Sequence, residues 1–276
     1  MASALVAALA LAFPVHGWLP AGYGPDGGTV WTGRIPNTIV ADRRLGAVYL
    51  PPGFRPARRY PVVYLLHGMA GSPSSIYRGM QLAQVADRLI ARGAPPFIAV
   101  LPVAGPRIDP NSGEWAGVWE DYLVRDVVPW VDAHLPTIPT AAGRALEGVC
   151  AGGFGAVDIG LRHPGMFGTL GSFDGYFAPK FRDGPFVHAT HADLLAHDPT
   201  LLVRRKATSL RKSGVRFYVS AGGNHGAVLA RWTVAFAHEL QTLRLQHELW
   251  RLPERDTGHF WRATFPSALA YADAAF

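Results

Sequence analysis

The sequence has a single cysteine, Cys150. One thiol cannot close an internal disulfide, so the fold has to be held by its core rather than by covalent staples. Charge is sparse, at 17% of residues, and lysine occurs only at Lys180, Lys206 and Lys212. The formal net charge of +6 therefore rests on arginine. A nucleic-acid-binding chain would carry a basic stripe with interleaved aromatics. The densest basic run here, Arg204 to Lys212, reads as one face of an amphipathic helix. No nucleic-acid partner is expected; at most the run gives loose attraction to an anionic envelope. Long hydrophobic runs are also lacking. The apolar stretch Ser3 to Val15 has the length of a signal-peptide core, is too short to span a bilayer, and has no basic flank. It points to an exported or membrane-proximal protein, with a cytoplasmic one left open. It also sets residues 1–20 apart from a domain expected over 21–276.

What is present suits a large globular domain. Of the 276 residues, 49% are hydrophobic, enough for a substantial core. Two alternating runs, in Gly28–Val40 and Arg43–Phe54, read as antiparallel strands. From Tyr60 onward, short apolar runs bounded by glycines alternate with helical periodicity. Examples are Tyr60–Leu66, Pro96–Val103, Arg144–Val149, Gly168–Phe173 and Val215–Ala221. Such a series means βαβ crossovers and one mainly parallel sheet of about eight strands, with helices on both faces. No repeat or linker interrupts it. In such sheets function gathers at the carboxyl ends of the strands. Three segments there hold unusual residues: His67-Gly68-Met69, Gly148 to Gly153, and Gly258-His259.

The segment Glu147-Gly-Val-Cys-Ala-Gly-Gly153 places Cys150 where an apolar run passes directly into a helical one. Small residues flank it, as a tight strand-to-helix turn requires. A thiol at a helix N-terminus has a larger thiolate fraction, because the backbone dipole favours an anion. A nucleophile in this setting can attack an acyl carbon.

The chain resembles the esterase D-like branch of the α/β-hydrolases, which includes S-formylglutathione hydrolases, feruloyl esterases and mycolyltransferases. The resemblance is carried by YPVVYLLHGMAGS, WEDYLVRDVVPWVD, GVCAGGFGAVDIGLRHPGMFG, GSFDGYFAP and GHFWRATFPSALAY, in that order from Tyr60 to the C-terminus. It implies a single α/β-hydrolase domain. It puts Cys150 where the branch has its serine nucleophile and His259 where it has its general base. The backbone amides of Met69 and Ala151 would form the oxyanion hole. Trp115 and Trp119, ahead of a helix that flanks the cleft, would either wall an apolar acyl pocket or simply pack.

Two features depart from the branch. One is the cysteine. The other is the missing carboxylate after the run Val215–Ala221, where only Asn224 and His225 precede the next helix. Asp174, at the end of the preceding strand, can supply an acid; Asn224 can orient His259 without a charge. A thiol needs less help than an alcohol, so cysteine with a neutral orienter is a coherent pair of changes. The expected reaction is acyl transfer through a thioester, by an esterase, a thioesterase or an acyltransferase. The substrate would be a small-molecule or lipid-like acyl compound, and no cofactor is implied. His188, His191 and His197 match no fixed zinc signature, so no metal site is expected. An eroded hydrolase kept for binding or scaffolding is the alternative. A cysteine engineered in place of serine would leave the enzyme class unchanged.

Overall fold

The computed structural model describes residues 15–40, 44–69, 71–105, 115–179, 186–222, 226–252 and 257–276. The apolar segment Ser3–Val15 therefore lies almost wholly outside the described residues, as does Asn224.

A nine-stranded sheet runs through the described chain, in the order β1-β2-β3-β5-β4-β6-β7-β8-β9. Strands β1 (Leu19–Tyr23), β2 (Thr29–Gly33) and β3 (Gly46–Leu50) form an antiparallel edge, and β3 pairs antiparallel with β5 (Ile98–Leu101). The rest is parallel: β5, β4 (Val62–Leu66), β6 (Arg144–Val149), β7 (Thr169–Phe173), β8 (Arg216–Ala221) and β9 (Gln246–Arg251). One strand more than expected appears because Leu19–Tyr23 is no strand by its own residues. It contains Pro20 and Gly22, and it pairs on one side only, where a proline costs no ladder bond.

The central strands are apolar on both faces because both faces are covered. Leu146, Tyr64, Val62, Leu170 and Phe217 point to one core cluster; Ala145, Val63, Leu65, Phe173 and Tyr218 point to the other. The second cluster is closed by α1 (Pro73–Tyr77), α2 (Leu82–Ala91) and α9 (Thr257–Asp273). The first is closed by the helical segment 118–134, by α5 (Ala151–Arg162), and by α7 (Pro199–Ser213) and α8 (Gly226–Thr242). The 118–134 segment consists of α3 (Val118–Asp121), a π-helical turn (Tyr122–Val127) and α4 (Val128–His134). The sequence predicts a kink at Pro129; the structure widens the helix in the turns before it instead. Proline lacks the donor and crowds the carbonyl four residues back, and the wider ladder relieves both.

The helical spacing over Ser75–Gly93 predicts one helix, and the structure has two. They break at Gln81, which adopts left-handed dihedrals, φ 55° and ψ 47°. Asp87 on α2 is fully buried and accepts hydrogen bonds from the Asp26 and Gly28 amides and from the Tyr49 hydroxyl. It ties the β1–β2 turn to the body of the domain. The basic run on α7 ends at Gly214 in the left-handed region, as its sequence predicts. Its cations are largely engaged within the chain: Arg204 pairs with Glu239, Lys206 donates to the Leu161 carbonyl and Arg211 to the Leu243 carbonyl.

Candidate active site

The strand order reverses direction of growth between β4 and β6, since β4 leads out to β5 and the chain then returns to the other side of β4. A crevice opens at such a switch point, at the carboxyl ends of the strands. Gly68 follows β4 and Cys150 follows β6, so both stand at this point.

Cys150 has φ 52° and ψ −116° and is the N-cap of α5. A non-glycine residue with positive φ is strained, and such strain persists only where the surroundings enforce it. Two hydrogen bonds and close packing do so. The Cys150 amide donates to the Phe173 carbonyl (2.9 Å), and its carbonyl accepts from the Phe154 amide (3.0 Å). The turn is also packed against its neighbours without room for a side chain. A Cβ on Gly152 would lie 2.2 Å from the Leu66 carbonyl oxygen, and one on Gly148 would lie 2.3 Å from that of Gly152. Cys150 itself is half-buried, held up at the strand-to-helix turn.

The turn after β4 faces it. A Cβ on Gly68 would sit 3.2 Å from the Cβ of Cys150. His67 fixes this turn, a role the sequence does not reveal. Its Nε2 accepts from the Ala104 amide (3.1 Å), so the ring proton is on Nδ1, which donates to the Gly68 carbonyl (2.9 Å). The Gly71 amide donates to the same carbonyl at 3.0 Å. In a trans peptide the next N–H, that of Met69, points the opposite way from this anchored carbonyl. Burial holds the His67 imidazole neutral, with its pKa lowered to about 4. Trp115 completes the clamp by donating from Nε1 to the His67 carbonyl (2.9 Å) and packing edge-on against the ring.

Ala151 is the first residue of α5, so its N–H belongs to the first turn, where the helix itself offers no acceptor. Met69 is 45% exposed and its side chain faces outward. Trp115 and Trp119 are each 1% exposed and belong to the main core. Their side chains pack rather than line open space, and Trp115 serves the site through the His67 carbonyl.

Asp174 ends β7 and is fully buried, also with positive φ, 51°. Its amide donates to the Ser220 carbonyl (2.8 Å), which hangs it on the end of β8. One carboxylate oxygen accepts a long bond from the Gly222 amide (3.5 Å); the other has no partner among the described residues. Burial raises its pKa to about 6, and the Gly222 amide pulls it partly back. His259 lies in the first turn of α9, where the sequence predicts a turn before the helix; it is exposed. Its neighbour Phe260 is buried against Gly222, where a Cβ would lie 2.8 Å from the ring. Gly222 thus joins the two elements: its amide meets Asp174 and its Cα meets the helix that carries His259.

Glu147, three residues before Cys150, carries no mark in the sequence. It is fully buried on β6, and neither carboxylate oxygen has a partner among the described residues. Burial alone pushes its pKa to about 8. Gly171 makes the room, since a Cβ there would lie 2.7 Å from the Glu147 Cγ.

The sheet, the flanking helices and the tight strand-to-helix turn at Cys150 define an α/β-hydrolase fold. Residues 38–274 match the family model described as "Putative esterase", and the chain belongs to that esterase family. A curated esterase of Mycobacterium tuberculosis is 31% identical over 169 residues, covering 58% of this chain and 35% of the relative. An endo-1,4-beta-xylanase/feruloyl esterase of Xylanibacter ruminicola is 32% identical over 148 residues, 49% of this chain and 20% of the relative. The matches thus span about a third or less of the length of these curated relatives. Among solved structures, a ferulic acid esterase aligns with TM-score 0.77 at 21% identity, over 90% of this chain and 99% of that one. An S-formylglutathione hydrolase from Agrobacterium tumefaciens aligns with TM-score 0.68 at 16% identity, over 93% and 98%.

Proposed function

We propose that this protein hydrolyses carboxylic esters or thioesters by acyl transfer through a thioester on Cys150. The observation that carries the reading is the enforced positive-φ turn that holds Cys150 against Gly68. A strained nucleophile and an anchored backbone loop in contact are the parts that acyl transfer needs.

His259 takes the thiol proton. The sulfur attacks the acyl carbonyl, and the amides of Met69 and Ala151 bind the oxyanion that forms. Donors of this kind are worth about 10²–10³ in kcat each, because they are aimed before the charge develops. Collapse breaks the ester C–O bond, and the leaving alkoxide takes the proton from the imidazolium. Water then gives a proton to His259 and attacks the thioester. The second collapse releases the carboxylic acid and returns a proton to the sulfur. We assign Asp174 to orient His259 and stabilise its cation, a contact not made among the described residues, where its carboxylate meets the Gly222 amide; Asn224 is the other residue placed by sequence to orient it. An alcohol or amine in place of water makes the same site a transferase. The feruloyl esterase and formylglutathione hydrolase relatives support a substrate panel of aryl-acid esters, short alkyl esters and thioesters.

The test is steady-state turnover on that panel by the wild type, Cys150→Ala and His259→Ala. The reading requires turnover of at least one member that both substitutions reduce by about 10³-fold or more. Turnover unchanged in Cys150→Ala would place the nucleophile elsewhere.

A further inference from the structure

On the outer face of α5, away from Cys150, the described residues bring together Glu120 of α3, Asp158 in the middle of α5, and His197 at the C-terminus of α6 (His191–Ala196). We propose that these three side chains form a binding site for a divalent transition metal of the zinc class, which fastens α6 to the helix that begins at the nucleophile.

The donor set is the first ground. One oxygen of Glu120, one of Asp158 and one ring nitrogen of His197 all lie within 4.8 Å of one another. In a four-coordinate zinc site with bonds of about 2.1 Å, ligand atoms stand roughly 3.4 Å apart, so modest side-chain rotation brings the set to bonding distance. His197 Nδ1 and Asp158 Oδ2 are 2.7 Å apart and share a hydrogen bond, whose proton an entering ion would displace. An imidazole with two carboxylates selects zinc-class ions, whereas calcium and magnesium favour oxygen-only sets.

The second ground is an unsatisfied group. Asp158 is fully buried, and its Oδ1 has no hydrogen-bond partner among the described residues. A buried carboxylate oxygen left bare is costly, and a cation would satisfy it.

The third ground is the surrounding shell. Glu120 is held by His163 Nε2 (2.7 Å) and by Arg162 Nε (3.0 and 3.3 Å to its two oxygens). Such outer hydrogen bonds fix a ligating carboxylate in place. Arg162 also donates to the Ala196 carbonyl (3.0 Å), next to His197, and the Phe186 ring packs edge-on against the His197 imidazole. An open depression of about 350 Å³ reaches Glu120, with His163 and the cations Arg162, Arg205 and Lys206 also on its lining; neither Asp158 nor His197 lines it. The site uses only one of the histidines in the His188–His197 run. Its other ligands come from segments far away in sequence, which is why no spacing signature marks it.

The test is calorimetric titration of Zn²⁺ into the chelator-stripped full chain, with Ca²⁺ as a control and thermal midpoints measured in parallel. The expected result is one saturable equivalent of Zn²⁺ and a midpoint raised by the ion but not by Ca²⁺. His197→Gln, near the surface, should weaken Zn²⁺ binding about tenfold or more, and Asp158→Asn should do the same wherever it folds. Cys150→Ala, which removes the one thiol that could compete, should keep the equivalent. No saturable equivalent would overturn the proposal; so would an equivalent that His197→Gln leaves unchanged or that Cys150→Ala abolishes. None of these readouts depends on esterase activity.

Discussion

Gly68 and Cys150 are in contact across the switch point of the sheet: a methyl group on Gly68 would lie 3.2 Å from the Cys150 Cβ and 3.2 Å from the Val149 carbonyl oxygen. Neither neighbour can give way easily, since one is the Cβ of a residue held at positive φ and the other is a strand end. Gly68→Ala should therefore push the β4 turn away from Cys150. In the proposed mechanism this turn carries an oxyanion donor, and displacing such a donor by about an ångström costs up to roughly 10²-fold in rate. We expect kcat to fall by about 10- to 100-fold with the fold intact by circular dichroism. A Gly68→Ala enzyme with full activity would show that this turn does not hold the oxyanion.

His67 should act through that turn without touching substrate. His67→Ala frees the Gly68 carbonyl from one of its two donors and should lower kcat more than it raises KM. The pH dependence follows from the pKa lowered to about 4. The folded state binds the proton less readily than an ordinary histidine, whose value is 6.5. The stability His67 confers is thus present above about pH 6.5 and is lost as pH falls toward 4. Protonation would aim a second ring donor at the Ala104 amide and break the clamp. Equal pH–stability slopes for the wild type and His67→Ala between pH 4 and 6.5 would contradict this.

Glu147 carries the opposite sign. Its folded pKa is about 8 against an ordinary 4.5, so the native state holds a proton that the unfolded chain releases. The contribution of Glu147 to stability is fully present below about pH 4.5 and falls as pH rises toward 8, at up to roughly 1.4 kcal/mol per unit. Glu147→Gln cannot ionise, so its unfolding free energy should lack that component of the slope. Chemical denaturation at several pH values between 5 and 9 measures it. Parallel curves for the two proteins would mean that Glu147 is not a buried, uncompensated carboxyl.

Asp174 and Asn224 give different mutants. With Asp174 as the partner of His259, Asp174→Asn should cut the acylation rate by about 10²-fold or more while KM changes little. Asn224→Ala should then matter far less. The reverse pattern would assign the site a Cys-His-Asn arrangement.

Much of this architecture is legible in the sequence because local and tertiary demands coincide there. The runs at Val62–Leu66 and Arg144–Val149 are central strands covered on both faces, and the glycines around Cys150 are where neighbouring backbones meet. The parts that escape a reading of sequence depend on partners. Leu19–Tyr23 is a strand because β2 lies beside it. Gln81 interrupts an otherwise continuous helical pattern through a backbone conformation that no residue type there announces. His67 looks like part of a loop motif until the Ala104 amide and Gly68 carbonyl fix its tautomer. Glu147 reads as an ordinary strand residue, and only its surroundings make it a carboxyl without partners.

The central claim is the covalent intermediate on Cys150. The direct measurement is intact mass spectrometry, with peptide mapping, after brief exposure of the wild type to activated esters of several chain lengths at about pH 7. Samples alkylated beforehand with iodoacetamide serve as the comparison. The predicted result is a mass increase of one acyl group, mapped to the peptide containing Cys150, decaying with turnover and absent after alkylation. Ester turnover with no adduct on that peptide at any time point, or turnover undiminished by complete alkylation of Cys150, would contradict it.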